Sequence, residues 1–432
     1  MTARQTLQLL RDHESRNVLF VEPDGSWPIV WERANGVHVW DVAGKKYLDL
    51  TAAFGVAAAG HANVNVVRAG QKQMAKLLHA MGDVHPHARK AELARELSQI
   101  TFERWTKKSK AKTGKVIFSN SGFEAVESAL KTAVLATKKN GVIAFAGGYH
   151  GLGYGALNAT HREHFRRPFR SQLRAFGHFA KFPAHESDLK PLALSLRNIF
   201  RRKNIGAILV EPMQARGGIN IPPPRFLKLL RKLCNEFGAL LILDEIYTGF
   251  GRTGKWFACE HSSVVPDLIC LGKALTGGFP LSACVGRADI MDAAWPASTG
   301  EAIHTSTFLG HPVGCAMALA QIAELKKLKL PERSAELGKF LLGELASIKN
   351  LKRKTKTSAR GIGLMVGLEL NLPNRKPATE VALTAIKKLL SSGYIFLPEG
   401  EHANVISFTP PLTISKTQIT QAVRALKKVL TR

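Results

Sequence analysis

Residues 239–257 read ALLILDEIYTGFGRTGKWF, and this stretch decides the fold. Five aliphatic residues run without a polar break and are followed at once by Asp244 and Glu245. A run that is apolar on both faces is typical of a strand in a parallel sheet covered by helices. Ligands of such sheets bind beyond the carboxyl ends of the strands. We therefore expect at least one of the two carboxylates at the deep end of a site, unless the pair only forms an ion pair with a nearby arginine.

Other apolar runs extend this pattern along the chain. Short strands are predicted at 116–119, 142–145, 206–210, 239–243, 267–271 and 281–286. Helical patterns, such as the one at 226–238, separate several of these runs, and residues 36–50 alternate around Ala43-Gly44 as in a β-hairpin. The pattern predicts an α/β fold with a mostly parallel sheet. We divide the chain into a large domain at 71–325 and a smaller domain built from 1–70 and 326–432.

Composition excludes several classes of protein. The chain has 432 residues, 45% of them apolar, which is typical of a globular enzyme. No apolar run approaches the roughly 18 residues of a membrane helix, and the N-terminus resembles no signal peptide. The five cysteines are scattered without a metal-type spacing. We therefore expect a cytoplasmic protein with no metal site and no membrane partner.

The chain is strongly basic, with 61 Lys and Arg against 33 Asp and Glu and a net charge of +28. The excess is spread over stretches that include 107–115, 161–181, 197–204 and 349–360. Because no nucleic-acid motif accompanies this charge, we interpret it as a solvated surface that attracts anionic ligands. The alternative is a single-strand nucleic-acid surface at 161–181, where Arg alternates with Phe and His.

The predicted strand at 116–119 leads into a candidate phosphate site. Ser121 and Glu124 have the spacing of a capping box, and Gly122 lets a ligand approach the backbone. Free N–H groups at a helix start, together with the helix dipole, bind phosphate. The alternative is an ordinary helix start.

Two further strand ends carry polar or aromatic groups. The strand at 142–145 is followed by Gly147-Gly148-Tyr149-His150-Gly151, where the tyrosine can stack on a planar ring or simply lie half-buried in a turn. The strand at 206–210 leads into Glu211 on the same rim.

Lys273 follows another apolar strand and precedes two glycines. A lysine among apolar neighbours has a lowered pKa and can form a Schiff base, although a lysine in this position can also be merely solvated. A phosphate cradle, a stacking aromatic, a buried carboxylate and an imine-forming lysine together match the needs of pyridoxal 5′-phosphate (PLP).

These residues resemble the class III (omega-type) aminotransferases, which are PLP enzymes of fold type I. The resemblance covers most of the chain, and LILDEIYTGFGRTG at 241–254 with PDLICLGKALTGG at 266–278 is similar to the family signature. It implies a large domain with a mostly parallel seven-stranded sheet and a smaller α+β domain from both termini. It also implies a homodimer with shared active sites, leaving open whether dimers pair into tetramers.

The resemblance assigns roles to individual residues. Lys273 would form the Schiff base and move the proton, and Asp244 would keep the pyridine nitrogen protonated. Thr307 would reach the phosphate of the neighbouring subunit. The remaining cofactor contacts would come from Ser121, Gly122, Phe123, Tyr149, His150, Glu211 and Ile246.

The chain also departs from the family pattern. Tyr247 stands where many relatives have Gln, and Ser407 stands where many have an Arg that binds a substrate carboxylate. Arg216 replaces a Glu, so we hypothesise that it takes over part of the carboxylate recognition; the alternative is an arginine that points to solvent. Trp27 and Phe54 are candidates for an apolar substrate pocket, and core packing is the alternative that we favour for each.

The predicted activity is transfer of an amino group from an amine or amino acid to a keto acid or aldehyde. A racemase, epimerase or decarboxylase on the same fold is the first alternative, because these enzymes use the same lysine. A basic nucleic-acid-binding protein on an inactive scaffold is the remote one. The sequence does not identify the donor or the acceptor.

Overall fold

The computed structural model describes residues 1–106, 112–348 and 355–431. Parts of the basic stretches at 107–115 and 349–360 therefore lie outside the described residues.

The strands, in chain order, are β1 Trp31–Asn35, β2 His38–Asp41, β3 Lys46–Asp49, β4 Gly114–Ser119, β5 Gly141–Phe145, β6 Gly177–Ala180, β7 Ile205–Val210, β8 Leu240–Asp244, β9 Leu268–Leu271, β10 Ser282–Arg287, β11 Lys356–Ile362, β12 Met365–Asn371, β13 Tyr394–Ile395, β14 Leu397–Glu399 and β15 Val405–Phe408. The α-helices are α1 Ala3–His13, α2 Ala52–Gly55, α3 Val64–Lys76, α4 Ala88–Ser98, α5 Arg104–Thr106, α6 Gly122–Thr137, α7 Tyr154–Ala159, α8 Glu163–Arg166, α9 Leu189–Arg202, α10 Phe226–Phe237, α11 Ala288–Ala294, α12 Pro312–Lys327, α13 Leu330–Ala346, α14 Thr379–Ser391 and α15 Lys416–Thr431.

A seven-stranded sheet in the order β4-β10-β9-β8-β7-β5-β6 forms the centre of the molecule. The pairs from β9 through β6 are parallel, and only β10 runs antiparallel to its two neighbours. This arrangement confirms the predicted α/β class with a mostly parallel sheet. The inner parallel strands β5, β7, β8 and β9 are almost entirely apolar because helices cover both faces of the sheet.

The six strands predicted from apolar runs correspond to β4, β5, β7, β8, β9 and β10, with ends that differ by two residues or fewer. The strand β6 was not predicted. It lies at the edge of the sheet and reads GHFA, and most of its residues are only half-buried, so no continuous apolar run identifies it.

Two smaller four-stranded sheets flank the central one, in the orders β1-β2-β3-β13 and β11-β12-β15-β14. The hairpin predicted at 36–50 is formed by β2 and β3, and Gly44 in its turn has a φ of +81°. The C-terminal strand β13 pairs in parallel with β3, so distant parts of the chain share one sheet. The division at residues 70 and 325 stays a prediction.

Within the described ranges, no helix is both long and apolar enough to cross a membrane. All five cysteines are free thiols in buried positions.

The Asp267 carboxylate joins three parts of the central sheet. It lies 2.7 Å from Arg231 Nη1 and 3.1 Å from Arg287 Nη1, and it accepts the Leu241 N–H at 2.8 Å. We expect Asp267→Ala to lower the free energy of unfolding by about 3 kcal/mol, because the substitution leaves the buried Leu241 N–H without an acceptor and removes the carboxylate that pairs with the half-buried Arg231. Urea-induced unfolding measures this loss.

Asp292→Ala is the matched control. Asp292 pairs with Lys115 at the surface, where an ion pair contributes less than about 1 kcal/mol. Equal losses in the two variants would contradict the structural role of Asp267.

Candidate active site

A cavity of about 400 Å³ opens at the carboxyl ends of β5, β7, β8 and β9. Its position agrees with the general rule for ligand sites of parallel sheets. The residues that line it are Gly122, Phe123, Tyr149, His150, Gly151, Leu152, Glu211, Ala215, Arg216, Asp244, Ile246, Tyr247 and Lys273.

Asp244 ends β8 and lies in the wall of this cavity. Its Oδ2 accepts a hydrogen bond from His150 Nδ1 at 2.8 Å, and its Oδ1 accepts the Ile246 N–H at 3.1 Å. Both members of the Asp244–His150 pair are buried. The sequence left open an arginine as the partner of this carboxylate; the structure instead brings a histidine from the loop after β5.

Glu245, the next residue, faces away from the cavity. Its carboxylate accepts hydrogen bonds from Thr248 Oγ1 and from the N–H groups of Ala258 and Cys259. Burial raises the pKa of Glu245 to about 7. Consecutive side chains at a strand end point in opposite directions, so only Asp244 is available to a ligand.

Lys273 follows β9 and begins a short 3₁₀ turn. Among the described residues, no hydrogen bond or ion pair reaches its Nζ, which lies 4.5 Å from the centroid of the Tyr247 ring. Burial lowers the pKa of Lys273, while the charges of Asp244 and Glu211 act in the opposite direction. The amine is therefore free to react with an electrophile.

The start of α6 provides hydrogen-bond donors at the edge of the cavity. Glu124 accepts the Ser121 N–H at 2.7 Å, which is the contact of the predicted capping box. The N–H groups of Gly122 and Phe123 find no acceptor within the described parts of the chain. A Cβ on Gly122 would lie 3.1 Å from Ile246 Cδ1, so the glycine leaves room at this point. A phosphate group can bind to these free donors.

Glu211 holds the loop that bears Tyr149. Its carboxylate accepts the Tyr149 N–H and the Ala215 N–H, each at 3.0 Å, and burial raises its pKa to about 6. Tyr149 and Ile246 both line the cavity and present an aromatic and an aliphatic surface.

Arg216 is the one arginine in the described lining of the cavity. Its guanidinium carbon lies 5.1 Å from the centroid of the Tyr149 ring. Its Nε is buried without a hydrogen bond in the described structure and lies 3.9 Å from Glu399 Oε2. Burial raises the pKa of Glu399 to about 7, against the opposing charges of Arg216 and Arg162.

Sequence reasoning did not identify Glu399. It ends β14, in the C-terminal part of the chain, and no motif marks it. The available signal is an acidic residue after the apolar stretch IFLP at 395–398, which alone indicates no site.

Five candidate site residues do not line this cavity, namely Ser121, Trp27, Phe54, Thr307 and Ser407, and their roles stay predictions. Trp27 packs against the small sheet around Val39, Phe54 is 49% exposed, and the Ser407 hydroxyl donates to Leu397 O at 3.0 Å inside the sheet of β15. Thr307 is exposed on a loop, and its role at a neighbouring subunit stays a prediction.

The cavity fits PLP by the chemistry of its side chains. Free backbone donors suit a phosphate, a buried carboxylate suits a protonated ring nitrogen, and an amine without a hydrogen bond suits an aldehyde. Tyr149 and Ile246 supply surfaces against which a flat ring can pack.

Comparison with known proteins gives the family. The model of class III aminotransferases matches residues 21–430. The chain is 35% identical to an acetylornithine aminotransferase of Methanosarcina mazei, over 96% of this chain and 95% of the relative. It is 36% identical to a 5-aminovalerate aminotransferase of Pseudomonas aeruginosa, over 92% of each chain. It is also 36% identical to a putrescine aminotransferase of Pectobacterium atrosepticum, over 95% of this chain and 84% of the relative.

Solved structures agree with this assignment. A transaminase from a marine Virgibacillus matches with a TM-score of 0.87 and 28% identity, over 99% of this chain and 98% of the other. A PLP-bound amine transaminase from an uncultivated Pseudomonas species matches with a TM-score of 0.86 and 27% identity, over 96% and 97%. The fold is therefore fold type I, the cofactor is PLP, and the predicted aminotransferase activity is confirmed.

The buried acids make stability depend on pH. The pKa values of Glu211, Glu245 and Glu399 are raised by burial to about 6, 7 and 7 from an ordinary value of 4.5. Between pH 4.5 and 7 these three groups therefore bind more protons in the folded chain than in the unfolded chain. We expect their contribution to the free energy of unfolding to fall as the pH rises through this window, whereas histidines whose pKa is lowered by burial, such as His261, contribute in the opposite direction.

Glu399→Gln tests this expectation, because it removes one of the three groups. The variant should reduce the pH-dependent decrease in the free energy of unfolding by up to about 3 kcal/mol. Urea-induced unfolding at several pH values measures this difference. The exposed Glu301→Gln serves as the control. Identical pH profiles for Glu399→Gln and the unchanged protein would refute the assignment.

Proposed function

The chain belongs to the class III aminotransferases, and we propose that it takes its amino groups from the terminal carbon of an ω-amine or ω-amino acid. The acceptor is a keto acid or an aldehyde. Three of the relatives are named for acetylornithine, 5-aminovalerate and putrescine, and each of these compounds has a primary amine at the end of an aliphatic chain.

The observation that supports this proposal most strongly is the state of Ser407. A C-terminal arginine at that position would bind the carboxylate next to a reacting amine. Ser407 has no charge, and its hydroxyl donates to a backbone carbonyl instead of facing the cavity. The site therefore favours donors that do not need an α-carboxylate clamp there.

We propose Lys273 and Asp244 as the catalytic residues. When bound, PLP supplies an aldehyde for an amine and a ring that accepts electrons from the substrate carbon. Lys273 Nζ would take the proton from that carbon and later return it. Asp244, held by His150, would keep a proton on the ring nitrogen.

The rest of the cavity would hold and orient the cofactor. The free N–H groups of Gly122 and Phe123 at the start of α6 would bind its phosphate, next to Ser121, whose own N–H donates to Glu124. Tyr149 and Ile246 would pack on the two faces of its ring, and Glu211 would keep Tyr149 in place through the backbone.

We further propose that Arg216 binds a carboxylate of the substrate. Its guanidinium lies in the cavity wall, and its Nε has no hydrogen bond with the described residues. A carboxylate can pair with such a group in bidentate geometry. Glu399, at 3.9 Å, would balance the charge of Arg216 while no carboxylate is bound.

A homodimer in the cytoplasm is part of the proposal. Thr307 would contact the phosphate bound by the neighbouring subunit, which its exposure on this chain allows. The free, buried thiols suit a reducing compartment.

The visible spectrum of the holoenzyme tests the donor class. We expect its yellow absorbance to bleach at least about tenfold faster with 5-aminovalerate or putrescine than with L-alanine, and to return on addition of a keto acid. Lys273→Ala is the control and should lose the covalently bound cofactor. Equal bleaching by L-alanine would overturn the ω-donor proposal.

Arg216→Ala tests carboxylate binding. Loss of a charge-assisted pair should raise the KM for 5-aminovalerate about tenfold, which corresponds to roughly 1.4 kcal/mol. The KM for putrescine, which has no carboxylate, should stay unchanged, as should PLP affinity. An unchanged KM for 5-aminovalerate would discard the role of Arg216.

A further inference from the structure

The ring of Tyr247 lies against the Lys273 amine. The distance from Lys273 Nζ to the ring centroid is 4.5 Å, within the range of a cation–π contact. In the described parts of the chain, this ring face is the only partner recorded for that Nζ. Tyr247 stands where, by the resemblance described above, many members of the family have Gln, a residue without an aromatic ring.

Residues from the N-terminal and C-terminal segments of the chain hold the Tyr247 ring in place. Its hydroxyl lies 3.2 Å from Thr409 Oγ1, and Thr409 Oγ1 in turn donates to Thr51 O at 3.3 Å. Gly55 packs on the ring edge: a Cβ there would lie 2.9 Å from Tyr247 Cε1, and the φ of +81° also favours glycine. The hydroxyl is thus engaged away from Lys273, and the ring face is what the amine meets.

Several charged groups surround the same amine. Asp244, Glu211 and Glu399 favour the ammonium form of Lys273, whereas Arg216 and burial disfavour it. An aromatic face attracts an ammonium group and has little attraction for a neutral amine. Because Tyr247 is buried, water screens the contact less than it would at the protein surface.

We propose that Tyr247 is a positioning residue whose ring face holds Lys273 Nζ while that nitrogen carries the proton taken from the substrate carbon. The proposal rests on the proposed role of Lys273. In this step the substrate C–H bond breaks, its electron pair stays on the substrate side, and the proton forms an N–H bond on Nζ. The same proton leaves Nζ when it is returned.

The role depends on the ring and not on the hydroxyl, which defines a matched pair of variants. Tyr247→Phe keeps the ring, and Tyr247→Met replaces it with a flexible apolar side chain. Thr409→Val removes the partner of the hydroxyl and leaves the ring intact. Thermal unfolding identifies any variant that fails to fold, in which case Tyr247→Gln, the residue of many relatives, replaces Tyr247→Met.

The first measurement uses the full chain after removal of the cofactor. Only a neutral amine adds to an aldehyde, so the rate constant of PLP association, followed by absorbance, reports the protonation of Lys273 as a function of pH. We expect the pH midpoint of this rate constant to be about one unit lower in Tyr247→Met than in the unchanged protein. In Tyr247→Phe it should stay within about 0.3 units of the unchanged protein.

The second measurement uses the holoenzyme with 5-aminovalerate. Tyr247→Met should lower kcat about tenfold with little change in KM, and it should increase the isotope effect of deuterium at the reacting carbon. Tyr247→Phe and Thr409→Val should keep the kcat of the unchanged enzyme. A purely structural role would not move the isotope effect.

The outcomes separate this inference from the proposed function. An unchanged midpoint and kcat in Tyr247→Met would overturn the inference, as would a Tyr247→Phe variant that behaves like Tyr247→Met. If Lys273→Ala still binds PLP with a visible band like that of the unchanged protein, the proposed role of Lys273 fails instead.

Discussion

The buried Asp244 carboxylate is the constraint on which the site depends. A charge at the end of an interior strand is costly unless a hydrogen-bonding partner reaches it. The His150 ring provides that partner at 2.8 Å, and so the loop after β5 must fold over the end of β8. The same loop bears Tyr149, which is consequently brought into the cavity wall.

The Asp244 carboxylate is also one of three acidic groups that surround the Lys273 amine. Asp244, Glu211 and Glu399 lie around Lys273, and burial raises the pKa of both glutamates. The amine therefore experiences two opposing effects, since burial disfavours its charge and the acids favour it. A lysine balanced in this way can both accept and release a proton, which amino-group transfer requires. Most of the basic residues that give the chain its net charge of +28 lie outside the lining of the cavity.

The two ends of the chain complete a site that the central sheet begins. Strand β13 joins the N-terminal sheet through β3, and Thr409 connects Thr51 with Tyr247. The contacts around Lys273 thus need the N-terminal and C-terminal segments to fold against the central sheet. A substitution in either segment can alter the site without touching a residue of the sheet.

The sequence by itself determined the α/β class, six of the seven central strands, and the positions of Asp244, Lys273 and the α6 start. These features are local: an apolar run forms the strand, and the residue after it lies at the ligand edge. Only the tertiary structure decided that Asp244 meets His150, that Glu399 approaches Arg216, and that the Ser407 hydroxyl donates to Leu397 O. The first two contacts join residues far apart in the chain, and the formation of all three depends on how whole elements pack, which no local pattern specifies.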